Sequence, residues 1–257
     1  MNTKSKRILT ISVETGKTML INGAETYRVE DTVKRMTENR LHLPVNVFVI
    51  PTGIIVSVDF ENETVTKLYR VTPKGIDLEI IDRANTFARE FSASDMSLDD
   101  AEALLANFKT PPIFSNRARY FFGGMAGGFF VFLFGGTRLE FLISYFASSL
   151  TLFTWDHLSK LELNFFIKNI FGGLSLSLLS FLGIFLATLF GYHPDYNMVI
   201  IGPLMTLVPG VSLTNGIRDL ISGELLAGSA KIMEALFIAI ALAFGVGMVL
   251  QLILGHI

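Results

Sequence analysis

The sequence has no cysteine, one tryptophan and four histidines. Without cysteine there can be no disulfide, no thiol nucleophile and no Cys-ligated metal. His42, His157, His193 and His256 are scattered and show no ligand spacing, so no metal site and no cofactor is expected. HExxH, GxSxG and P-loop patterns are also missing, which removes the motif basis for a protease, a hydrolase or an ATPase, and no enzyme is expected. The formal net charge of −2 gives no electrostatic pull toward nucleic acid. Charge becomes scarce along the chain: residues 1–119 hold 16 of the 21 Lys+Arg and 16 of the 23 Asp+Glu. The other 138 residues share twelve charges and are rich in Phe, Leu, Gly and Ile, a composition that needs lipid as part of its solvent.

The charged part reads as a small α+β domain over 1–110, ordered ααβββαα. Residues 6–20 predict a first helix. Asn22 with Glu25 three residues on forms a capping-box pattern and predicts that a second helix starts there. Leu41-His42-Leu43-Pro44 ends it. The β-branched runs 45–50 and 54–60, joined by Pro51-Thr52-Gly53, predict two strands, and a third runs from Thr64 to Val71 after a Glu61-Asn62-Glu63 turn. Helices follow at 76–91 and 98–108, the latter capped by Ser97. Glu14, Glu25, Arg28, Glu30 and Asp31 read as a solvated charged face. Residues 111–119 form the linker, beginning at Pro111-Pro112.

Residues 120–257 read as an all-α membrane domain of about five transmembrane helices, near 120–136, 141–155, 169–192, 196–213 and 235–254. The chain is therefore expected to be multi-pass, with the lipid bilayer as its first partner. Glu14 and Lys17 interrupt the apolar stretch at the N-terminus, so no signal peptide is read there and the N-terminal domain is expected to be cytoplasmic. With that orientation the inner face holds Arg117, Arg119, Lys160, Lys168, Arg218 and Lys231, and the outer face holds Arg138 alone, as the positive-inside bias requires. Gly123-Gly124 with Gly127-Gly128, Gly172-Gly173, and Gly245 with Gly247 predict close helix packing.

The chemistry concentrates at 201–228. Pro209 lacks an amide and Gly210 loosens the next turn, so the fourth span should break there. Ser212, Thr214, Asn215, Arg218 and Asp219 follow at once. Such breaks at membrane depth line cavities and expose helix ends to charged substrates. Together these seven residues, Pro209 to Asp219, form the candidate substrate site. Arg218 would hold a carboxylate with Asp219 as its resting partner, and Thr214 and Asn215 a hydroxyl or ammonium. Asp219 and Glu234 are the candidate proton carriers. The competing reading is an interfacial loop, with Arg218 on lipid phosphate and Asp219 paired to it. Lys231 and Glu234 read as a helix-surface pair three residues apart. Glu140 and Asp156 read as interfacial ends of the second span.

The segments INGAETYRVED at 21–31, VFVIPTGIIVS at 47–57 and IIGPLMTLVPGVSLTNGIRDLISGELLAG at 200–228 resemble the threonine/serine exporter family. The third segment is the most specific. The resemblance implies a secondary transporter in the bacterial plasma (inner) membrane, exporting small carboxylate-bearing metabolites such as threonine, serine or a dicarboxylate like succinate. It also implies a larger subunit that works with a second small membrane subunit of the same family and can form a homo-oligomer. The alternative carried beside it is a membrane-anchored metabolite sensor, with the soluble domain as receptor.

Overall fold

A computed structural model describes residues 3–60, 63–72, 75–109, 115–161 and 163–255. In chain order the elements are α1 (Thr3–Ile21), α2 (Thr26–Leu41), β1 (Val45–Ile50), β2 (Gly53–Phe60), β3 (Glu63–Arg70), α3 (Leu78–Ala93) and α4 (Leu98–Ala106). A short 3-10 turn, Asn107–Lys109, follows. Then come α5 (Asn116–Leu133), α6 (Arg138–Leu158), α7 (Phe165–Leu189), α8 (Tyr196–Leu207), α9 (Gly210–Ile221) and α10 (Leu225–Leu254). The residues pack into two units. One comprises 1–111 with 211–233, and the other 112–210 with 234–257. The sequence reading had placed all of 120–257 in one membrane domain; here 211–233 group with the N-terminal part.

The first unit holds the ααβββαα order at 3–106. β1, β2 and β3 form an antiparallel meander with Val49 opposite Ile54 and Ile54 opposite Tyr69. Alternation decides the faces: Ile54, Val56 and Val58 of β2 are fully buried, with Ile55 and Ser57 turned the other way. Leu9, Val13, Val29 and Val33 from α1 and α2 cover the buried face. Each such side chain contributes about 1.5–3 kcal/mol on burial. A second cluster, Ile11, Met36, Phe87, Phe91 and Ala101, ties α3 and α4 to α1 and α2. Ser97 caps α4 by accepting the Asp100 amide, as its position predicts. Residues 111–114 of the predicted linker lie outside the described residues, and its remainder is already helix: Ser115 caps α5, which begins at Asn116. Glu61 and Asn62 of the predicted β2–β3 turn lie outside them too.

The Asn22 cap needs correcting. Asn22 ends α1 instead of starting α2. The Gly23 amide donates to Leu20 O at 3.2 Å and the Ala24 amide to Met19 O at 3.1 Å, with Gly23 at φ +88°. This is a Schellman stop, and only glycine enters that conformation without strain. Asn22 Nδ2 donates to Thr18 O at 2.7 Å and closes the same turn. The N-cap of α2 is Glu25, whose side chain makes no capping bond.

In the second unit, α7 with 25 residues is long and apolar enough to cross a membrane, as is α10 with 30, whose first turns belong to the first unit. α8 and α9, on either side of the Val208–Pro209 break, pass the same test only when taken as one span. Length and composition thus support two or three spans. α5 is 18 residues long and spends its first turn on Asn116, Arg117 and Arg119, while α6 carries Arg138, Glu140 and Asp156. The glycines do close the helix contacts. A Cβ on Gly124 would lie 2.8 Å from Tyr145 O, and one on Gly128 2.8 Å from Phe141, so α5 sits hard against α6. Gly173 and Gly245 meet where α7 crosses α10, whereas a Cβ on Gly247 would meet none of the described residues within 4 Å.

Candidate functional site

The charged residues of α9 point into the first unit. α9 ends by the same device as α1: Gly223, at φ +92°, donates to Leu220 O and Glu224 to Asp219 O. The chain then reverses into α10. Gly216 and Gly228 let the two helices touch; a Cβ on Gly228 would lie 2.7 Å from Gly216 O. This close hairpin brings Lys231 beside α9 and presents four polar side chains to the α1–α2 turn. Asn215 Nδ2 donates to Gly23 O at 2.9 Å. Lys231 Nζ donates to Asp219 Oδ2 at 2.8 Å and to Ala24 O at 3.2 Å. Asp219 Oδ1 accepts the Thr26 amide at 3.1 Å. Arg218 pairs with Glu25.

Burial grades these contacts. Asp219 is fully buried and Lys231 nearly so, at 12% side-chain exposure; Arg218 is half exposed. A buried pair of this kind tolerates the loss of neither partner. Glu25 is 5% exposed and holds two cations: Oε1 faces Arg218 and Oε2 lies 3.3 Å from Arg28 Nη1. Burial pushes its carboxyl up, but its own backbone amide, the Arg218 hydrogen bond and the charge of Arg28 together hold it below the usual carboxylate value. Glu30, on the next turn of α2, behaves in the opposite way. Burial and the charge of Glu224 push it up, against the opposing pull of the Val49 amide and Lys34. The Thr26 hydroxyl is buried beside the cluster without a hydrogen-bond partner among the described residues.

The predicted site is therefore partly assembled and partly rearranged. Asn215, Arg218 and Asp219 all meet the α1–α2 turn, and in place of the expected Arg218–Asp219 pair there are two crossed pairs, Arg218–Glu25 and Asp219–Lys231. Successive helical residues point about 100° apart, so Arg218 and Asp219 reach different partners. Lys231 pairs with Asp219 and forms no ion pair with Glu234 among the described residues. Glu234 is exposed on the part of α10 belonging to the second unit. Pro209 and Gly210 occupy the break itself, Ser212 is half-buried and Thr214 exposed. Glu25, read as part of a solvated face, is a buried member of the cluster. Its signal was the weak cap at the start of α2, whose free amides need an acceptor from elsewhere.

The second unit holds a polar feature that the sequence reading missed. Ser144, Ser148 and Thr151 recur on one face of α6, all fully buried, and Ser177 and Ser180 are buried on α7, which packs against α6. Ser144 donates to Val199 O at 2.9 Å. The hydroxyls of Ser148, Thr151, Ser177 and Ser180 have no partner among the described residues. The i, i+4, i+7 spacing of 144, 148 and 151 was the available signal. Glu140, read as an interfacial end of the second span, is buried in the first turn of α6. It accepts the Thr137 amide at 2.6 Å and the Asp195 amide at 2.8 Å.

Three comparisons bear on this arrangement. The family model described as "Putative threonine/serine exporter" matches residues 10–253. The chain is also similar to the threonine/serine exporter of Corynebacterium glutamicum, with 22% identity over 249 residues, 95% of this chain and 51% of that protein. It thus spans about half the length of that relative. No solved structure matches.

Proposed function

The chain belongs to the threonine/serine exporter family of membrane transporters, and from this premise we propose that it is a secondary exporter of small carboxylate-bearing solutes, not an enzyme. The observation that carries the reading is the set of buried, unpartnered hydroxyls on α6 and α7. Left without a partner in an apolar interior, each such hydroxyl would cost about 1–3 kcal/mol. A passing solute with ammonium, hydroxyl or carboxylate groups would satisfy them in turn. Threonine and serine fit this chemistry, and so does a dicarboxylate such as succinate.

Arg218 is the carboxylate contact in this reading. Half exposed and paired with Glu25, it exchanges Glu25 for the substrate. Asn215, Thr214 and Ser212 complete the contact, and the Pro209-Gly210 break gives them room. Asp219 and Glu234 are the proton carriers for a zwitterionic substrate, which gains nothing from the membrane potential. An exported anion gains about 2.3 kcal/mol per charge per 100 mV. The topology proposed is five spans, the fourth running over 196–213 through α8 and the Pro209-Gly210 break, with the N-terminal domain, residues 1–110, cytoplasmic. The six-to-one distribution of basic residues supports it.

The test is efflux of labelled threonine and labelled succinate from loaded cells, with the chain expressed alone and with a small membrane protein of the same family. Pair-dependent loss of either solute supports export with a second subunit, and loss by the chain alone supports export without one. Arg218→Ala and the fourfold Ser148/Thr151/Ser177/Ser180→Ala variant should abolish loss while the protein still accumulates in the membrane. Unchanged efflux from both variants would remove the site assignment. Single cysteines introduced at Lys67 and Arg138 test the topology against a cysteine-free background. An impermeant thiol reagent should reach only position 138 from outside.

A further inference from the structure

A second polar site lies on the first unit, on the side of α2 facing α3. Arg28, Thr32 and Arg35 fall on one stripe of α2, and Asn85 and Arg89 on one stripe of α3. The two stripes line a cleft of about 450 Å³. Among the described residues that line it, none has an aliphatic side chain and Asp31 is the one carboxylate. Three guanidinium groups face one carboxylate in this lining.

The native ion pairs use up only part of this charge: Arg28 lies 3.3 Å from Glu25 Oε2, a carboxylate it shares with Arg218. Arg35 lies 3.6 Å from Asp31, beyond good hydrogen-bond length, and both side chains are at least half exposed. Arg89 donates to Thr86 Oγ1 at 2.9 Å and has no carboxylate partner among the described residues. Thr32 is 3% exposed and fixed in the floor of the cleft. Guanidinium forks from two helices, with a hydroxyl and an amide between them, form a donor set for planar or tetrahedral oxyanions.

We propose that this cleft between α2 and α3 binds a small, doubly charged oxyanion, a dicarboxylate or a phosphate group. The proposal stands apart from transport, since the cleft belongs to neither the hydroxyl seam nor the α9 cluster. It touches the cluster at one point only: Arg28 also faces Glu25 Oε2. An anion that draws Arg28 into the cleft leaves Glu25 to Arg218 alone and tightens that pair.

The experiment is calorimetric titration of the purified full chain with succinate, inorganic phosphate and sodium chloride at matched ionic strength. In an Arg218→Ala background, which removes the proposed transport contact, saturable binding of succinate alone identifies a dicarboxylate site, of phosphate alone a phosphate site, and of both a general oxyanion site. Arg89→Ala and Arg35→Ala should each weaken it at least about tenfold. Arg89→Lys, which keeps the charge but loses the fork, should fall between, and Arg83→Ala, outside the cleft, should bind as the native chain does. Heat indistinguishable from that of chloride, or unchanged binding in both Arg89→Ala and Arg35→Ala, would overturn the proposal. Neither result depends on whether the chain exports anything.

Discussion

The carboxylate of Asp219 caps helix α2 through the amide of Thr26, across 193 residues of sequence. Glu25 holds the N-cap position but turns its side chain to Arg218 and Arg28, leaving the first amide of α2 without a local acceptor. A buried anion at a helix N-terminus is favourable for both the amide and the macrodipole. Lys231 neutralises that anion from the other side.

Asp219→Ala should therefore destabilise the first unit by about 3–5 kcal/mol, because it strands a nearly buried ammonium and removes the cap. Amide exchange at 26–29 is the direct readout and should accelerate. The double change Asp219→Leu with Lys231→Met should recover much of the loss, since the unpaired charge goes with it. Unchanged protection of Thr26 in the single variant would disprove the capping role.

Glu25 makes the same junction sensitive to acid. Its carboxyl is held below the usual value, so the stability it contributes is present above about pH 4.3 and is lost as the pH falls through the folded-state value. Protection across 215–224, corrected for the intrinsic pH dependence of amide exchange, should fall between about pH 5 and pH 3, bounds set by the ordinary carboxylate range. Glu25→Gln should exchange faster at neutral pH and show a smaller acid step.

Glu30 has the opposite sign. Its carboxyl is pushed up by burial and by Glu224, so its ionisation opposes folding once the pH passes that raised value. Glu30→Gln should raise the melting temperature at pH 7, by an amount worth at most about 1 kcal/mol, and leave it unchanged near pH 4. A lower melting temperature at pH 7 would show that Glu30 is held by a partner that outweighs Glu224.

Two glycines on α10 should respond differently. A Cβ on Gly228 would press into Gly216 O and Leu220, both 2.7 Å away, whereas one on Gly247 would meet none of the described residues within 4 Å. Gly228→Val should cost about 1–3 kcal/mol and loosen the α9–α10 hairpin. Gly247→Ala should be neutral or slightly stabilising, as glycine is a poor helix residue. Equal thermal denaturation curves for the two variants would contradict the close crossing.

Much of the first unit could be read from residue pattern. The three strands follow from β-branched alternation, and the Ser97 cap and the break at Pro209 from local chemistry. Asn22 misled because Asn-Gly serves helix ends as readily as starts, and only the amide bonds from Gly23 and Ala24 decide between them. The family likeness came from motif residues, and the matched family bears it out. The crossed pairing of Arg218 and Asp219 was not legible, because nothing local says that Glu25 lies within reach of α9. The hydroxyls of α6 and α7 carried a visible period, but Ser and Thr also close bonds to their own helix, as Thr188 does to Ile184 O.

The discontinuous make-up of the first unit has a consequence during synthesis. Gly23 O, Ala24 O and the Thr26 amide leave the ribosome early, yet their partners Asn215, Lys231 and Asp219 emerge about 190–210 residues later. The whole of 112–210 must be made and set aside first. Closing so long a loop is slow, and until it closes the start of α2 is an uncapped helix end. A nascent chain arrested before residue 211 should therefore carry a protease-sensitive α1–α2 turn, and one released after residue 233 a resistant one.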